Sequence, residues 1–233
     1  MNKKITAFKA AFPHTLPVFT GFIFLGSAYG VLMNNKGVPL IWIFLMSSIV
    51  FAGSAQYMAV TFFTSAFNPI SAFFMTLMIN ARHIFYGISL FKKYENTGKL
   101  KPFLIFGMCD ETFSITCSAT PPAEVDKNLF LFFITFLNYS YWIIGSIFGS
   151  LLSSILKFNT KGLDFVLTAL FVVIFTSQWK SQNNHKPAII GVLSSVVSIF
   201  LFGKKQFIIP AMLIIILLLI IFRKKIENKE IIQ

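Results

Sequence analysis

Charge is what this sequence lacks most. Only 12% of its 233 residues are Asp, Glu, Lys or Arg, where a soluble domain carries about 25%. Acidic residues are scarcer still, with 8 Asp and Glu against 20 Lys and Arg. Cysteine is nearly absent: Cys109 and Cys117 share one apolar stretch without metal-type spacing, and they read as buried, reduced thiols. No H-E-x-x-H is present, and the deep His83 has no obvious Ser or Cys partner in sequence. Those absences argue against an intramembrane enzyme, a resident metal or any cofactor. No connection is long enough to act as an ATPase-coupling domain. Lys3, Lys4 and Lys9 precede an apolar stretch, as in a signal peptide. No convincing small-residue cleavage site follows, so the stretch reads as a retained first helix.

What is present is hydrophobic length. Apolar types make up 56% of the chain, Phe alone numbers 30, and the mean hydropathy is +0.76. About eight apolar segments follow one another, each near the length needed to span a bilayer. They cover roughly 16–33, 38–63, 68–91, 102–119, 128–156, 162–179, 187–203 and 206–222. The expected fold is therefore an all-α polytopic membrane protein, one membrane domain over residues 1–233. The net charge of +12 does not point to nucleic acid, because the basic residues sit in short connections and at both ends, facing lipid headgroups. They divide almost evenly between the two sides, so the loop-charge rule does not fix orientation. "AFNPISAF" at 66–73 and "KFNTKGLDF" at 157–165 each open a third helix. They suggest a 3+3 inverted repeat of the first six segments, followed by two C-terminal helices. The eighth segment, aliphatic throughout, reads as a lipid-facing packing helix with a basic tail.

Polar residues within the spans carry the functional argument. In "NARHIFYG", residues 80–87, Asn80 and His83 share a helical stripe with Thr76 and Gly87, and Arg82 and Tyr86 lie on the adjoining quarter. Phe73, Leu77, Ile84 and Ile88 form an opposite half without one polar atom. An arginine at this depth costs roughly 2.5–3.5 kcal/mol even on lenient insertion scales. Either a structural ion pair or a substrate or ion site must offset that cost. "CDETF" at 109–113 supplies Asp110 and Glu111, the natural counter-charges. Two adjacent carboxylates in low dielectric resist double ionisation, which leaves one able to carry a proton. "FAGSAQY" at 51–57 places Gly53, Ser54 and Gln56 in an apolar segment. That is either a small-residue packing seam or a helix break whose backbone groups bind a zwitterion or ion.

"FAGSAQY", "NARHIFYG" and "CDETF", in that order and spacing, resemble the AzlC family, the large subunit of branched-chain amino acid exporters. The resemblance covers roughly residues 8–203 and says nothing of 204–233. It implies efflux of Leu, Ile, Val and Met across the cytoplasmic membrane of a bacterium, with a small AzlD-like membrane subunit as partner. By the match, Gly53, Ser54, Gln56, Asn80, Arg82, His83, Asp110 and Glu111 are the family's motif positions; from their chemistry we expect the first six to bind substrate and Asp110 and Glu111 to couple protons. Ala81 departs from the pattern, standing where a larger aliphatic residue is expected. The alternative readings are a non-transporting membrane subunit or a carrier of another small zwitterion.

Overall fold

A computed structural model describes residues 3–62, 69–155, 172, 175–176, 179–180 and 184–227. The described residues are helical and contain no strand. Contacts group the chain into two compact units, 1–76 with 80–167, and 77–79 with 168–233.

The first unit is organised on two long helices, α1 (Lys3–Asn35) and α8 (Lys127–Ile155). Both are long and apolar enough to cross a membrane. Helix α1 starts well before the apolar run at 16 and continues through Pro13 and Pro17. The two helices run parallel: Phe8 meets Phe133, Thr15 hydrogen-bonds Tyr141, and Ser153 donates to Asn35 Oδ1. Glycine makes the approach close. A Cβ on Gly26 would lie 2.9 Å from the Ser146 amide, and one on Gly145 would lie 2.8 Å from the Phe22 carbonyl. Ser27 Oγ donates across the seam to Gly145 O at 3.2 Å. This is small-residue packing, the means by which helices associate without a hydrophobic drive.

Of the three segments between these helices, segments 2 and 4 are interrupted. Segment 2 begins as α2 (Leu40–Leu45), widens into a π turn (Met46–Val50), and breaks before α3 (Gly53–Phe62). At the break Phe51 is left-handed, at φ 41° and ψ 49°, a conformation costing a non-glycine residue roughly 1–2 kcal/mol. Its buried ring packs edge-on against Tyr139 at 5.0 Å. The Tyr139 hydroxyl donates to the Ser48 carbonyl at 2.8 Å, giving that backbone group at the break a partner.

Segment 3 comprises α4 (Pro69–Asn80) and α5 (Arg82–Leu90). Ala81 between them keeps helical dihedrals, φ −54° and ψ −30°, so the backbone runs on as one helix with a tightened turn. Segment 4 corrects the expectation of a continuous helix. Segment 4 divides into α6 (Lys101–Phe106) and α7 (Asp110–Ser118), with Cys109 extended between them. Gly107 lies against Thr135 of α8, and a Cβ there would fall on the threonine methyl. Asp110 and Glu111 thus occupy the first turn of a new helix instead of the middle of a long one. A carboxylate is favoured at such an N-terminus by the unpaired amides and the helix dipole.

In the second unit, α9 (Lys186–Gln206) and α10 (Ile208–Glu227) pack together as a pair. Gly203 at φ 73° kinks α9 near its end. Segment 6 lies largely, and the stretch 157–165 wholly, outside the described residues, while in 66–73 Pro69 begins α4.

Candidate functional site

The fold brings three helix starts together. Ser54 comes from the first turn of α3, Arg82 begins α5, and Asp110 begins α7. Arg82 Nη1 pairs with Asp110 Oδ2 at 2.8 Å, and Nη2 donates to Ser54 Oγ at 2.7 Å. The second carboxylate oxygen, Oδ1, accepts the Tyr86 hydroxyl at 2.6 Å. Tyr86 follows Arg82 by one helical turn, so both face the same way from α5. Its ring stacks on Phe113 of α7 at 4.3 Å. The pair is sheltered but not sealed, with side-chain exposures of 29% for Arg82 and 19% for Asp110.

The other expected site residues divide. His83 points its Nδ1 at the Asn80 carbonyl, 3.0 Å away, and meets Tyr86 edge-on at 5.4 Å. Asn80 Oδ1 is buried and has no hydrogen-bond partner. Glu111 adjoins Asp110 in the first turn of α7, while the ion pair itself is made by Asp110.

Gln56 and Gly53 are placed differently from the expectation. The Gln56 amide is buried and engaged at both atoms, accepting from Trp142 Nε1 at 2.9 Å and donating to Ser47 Oγ at 3.2 Å. It ties the π turn to α8. Gly53 lies under the Trp142 indole, which a Cβ would approach to 3.0 Å. These two residues shape the break and hold it against α8.

Sequence reasoning placed Tyr86 on the polar side but gave it no role; its spacing of four from Arg82 was the available signal. Asn138 is another buried polar group at this level. Its side-chain amide donates to Thr112 Oγ1 of α7 at 3.1 Å, and Thr112 also meets Cys109 Sγ at 3.1 Å. These contacts fix the first turn of α7, and with it Asp110.

A cavity of about 350 Å³ lies between α5 and α6, with His83 and Tyr86 in its wall. Its size is at the small end for small-molecule sites.

Residues 17–156 match the family model described as AzlC protein. The branched-chain amino acid transport protein AzlC of Bacillus subtilis is 53% identical over 99% of this chain and 92% of its own length. A membrane protein of Haemophilus influenzae is 39% identical over 91% of this chain and 87% of its own. The inner membrane protein YgaZ of Escherichia coli is 24% identical over 78% of each. No solved structure matches the chain. A family match over this much of the sequence, and a relative this similar along nearly its whole length, establish that the chain belongs to the AzlC family.

Proposed function

We propose that this protein is a secondary transporter, not an enzyme, and that it exports branched-chain amino acids and Met across the cytoplasmic membrane of a bacterium. The observation that carries this is the Arg82–Asp110 pair, held beside the breaks of segments 2 and 4 and partly exposed. Discontinuous helices of this kind expose backbone dipoles and unpaired groups where secondary carriers bind zwitterions and ions. The substrate class comes from the name of the Bacillus relative.

In this reading Arg82 alternates between two carboxylates. It holds Asp110 when the site is empty and the substrate carboxylate when the site is loaded. Asp110, released, takes a proton from the aqueous side to which the site is open, and returns it when Arg82 comes back. Tyr86 keeps its hydroxyl on Asp110 and marks the carboxylate's position in both states. Glu111 lies next to Asp110 as a second acceptor for the proton. A small AzlD-like membrane subunit completes the exporter, and lipid surrounds both.

The test is amino acid accumulation in cells fed Leu- or Met-containing dipeptides. Cells lacking this gene, or that of its small partner, should accumulate the free amino acid, and restoring both should lower it. Equal accumulation in all strains would overturn the export reading.

A further inference from the structure

The cavity between α5 and α6 has a polar end and an apolar body. His83 and Tyr86 close the end toward the ion pair, Lys101 stands on its wall, and Leu90, Ile105 and Met108 supply apolar surface. Tyr86 belongs to both sites, with its hydroxyl on Asp110 and its ring on the cavity. From His83 to Phe91 the wall runs about 12 Å along the helix at 1.5 Å per residue.

Gly87 is the glycine on this wall, and like Gly21 and Gly191 it has open space where a Cβ would stand. It lies inside a helix, where glycine is disfavoured against alanine. It has no positive φ to require it, and a Cβ built on it meets no atom within 4 Å. Gly26, Gly30, Gly145 and Gly149 are different, because each is pressed against backbone of the facing helix. Packing and backbone conformation thus give no reason for glycine at 87. What its missing side chain leaves is space in the cavity.

We propose that this cavity receives the aliphatic side chain of the transported amino acid, and that Gly87 sets the size of side chain admitted. The inference rests on the transport reading above. A zwitterion held by its carboxylate at Arg82 must place its side chain somewhere. The apolar space reached past Tyr86 and His83 adjoins that position. Lys101 lines the same wall, its ammonium over the Phe91 ring, 5.5 Å from the centroid.

The experiment measures binding of radiolabelled Leu, and its displacement by unlabelled Leu, Val and Ala. It uses membranes carrying the full chain together with its small partner. Gly87→Val and Gly87→Leu should weaken Leu relative to Ala by about tenfold or more, within the range that one or two methylenes give in an apolar pocket. Met108→Ala should move the preference the other way. Gly87→Ala, the mildest change, should shift preference in the same direction as Gly87→Val and fold at least as well as the parent, which covers the case in which the larger variants do not fold. Folded variants with the parent's order of preference would overturn the assignment. Equal loss for all three amino acids would also overturn it, since that marks an access route. Parent protein that binds none of them would overturn the transport reading, and this inference with it.

Discussion

At the scale of single residues, Arg82 shows how a buried charge is made tolerable. Its guanidinium has an anion on one nitrogen and a hydroxyl on another, and the anion has a second donor in Tyr86. Removing one partner leaves the other sheltered and uncompensated, which costs roughly 3–5 kcal/mol for a fully buried pair. With exposures of 29% and 19%, the lower end of that range applies. Arg82→Ala and Asp110→Ala should therefore each lower the yield and thermal stability of detergent-purified protein more than the double variant does. A double variant as unstable as the sum of the singles would show that the two charges act separately. Tyr86→Phe keeps the stack on Phe113 and removes only the donor. It should cost about 1–2 kcal/mol and weaken substrate binding, both readable by thermal shift with and without ligand. This pairing was legible in the sequence, because a deep arginine demands a counter-charge and few acids were on offer. The role of Gln56 was not. A buried amide can serve a ligand or a neighbouring side chain, and only the fold reveals Trp142 and Ser47 around it.

At the scale of elements, two long helices fix a frame and three segments are held against or beside it. The frame depends on α1 and α8 touching through their backbones. A Cβ on Gly30 would fall on the Ser146 carbonyl, and one on Gly149 on the Ser27 carbonyl. Gly30→Val should separate the helices and abolish the monodisperse peak in size-exclusion chromatography. Gly21→Val, on the same helix but with nothing within 4 Å, should leave it. Equal behaviour of the two would remove the seam from the account. The interruptions were unequally legible. "FAGS" carries small residues in an apolar run and announces the first. In segment 4 the signal was present but outweighed by hydropathy: Gly107 ends α6, and Asp110 and Glu111 begin α7 as acidic first-turn residues. At Ala81 the sequence and the backbone agree, since alanine is a good helix former and its dihedrals are helical. At the far end of α7, Lys93 donates to the Thr116 and Ala119 carbonyls. Burial lowers the pKa of this lysine in the 92–101 connection, while the carbonyl end of a helix is a favourable place for its charge.

At the scale of the whole molecule, the parallel sense of α1 and α8 constrains how the intervening chain crosses a bilayer. A chain leaving α1 on one side must enter α8 from the other, which takes an odd number of crossings by segments 2–4. A re-entrant segment 2 followed by two full crossings would make the long helices antiparallel, contrary to the contacts of Phe8, Thr15 and Asn35. With all three segments crossing, as we propose, the breaks of segments 2 and 4 would lie near mid-depth, and Arg82, Asp110 and Ser54 with them. A site at that level can serve both sides in turn, and the coupling argument becomes testable. Asp110→Asn keeps the side chain's shape and a hydrogen-bond acceptor for Tyr86 but cannot exchange a proton. Substrate carboxylate can still take Arg82, so liposomes carrying this variant with its small partner should retain counterflow of Leu. Uphill movement of Leu in the direction of proton flow down an imposed pH gradient should fall at least tenfold, since no proton travels with the loaded site. Measuring both fluxes in one preparation separates binding from coupling: loss of counterflow as well would make Asp110 a structural partner of Arg82, whereas intact gradient-driven flux would transfer the coupling role to Glu111.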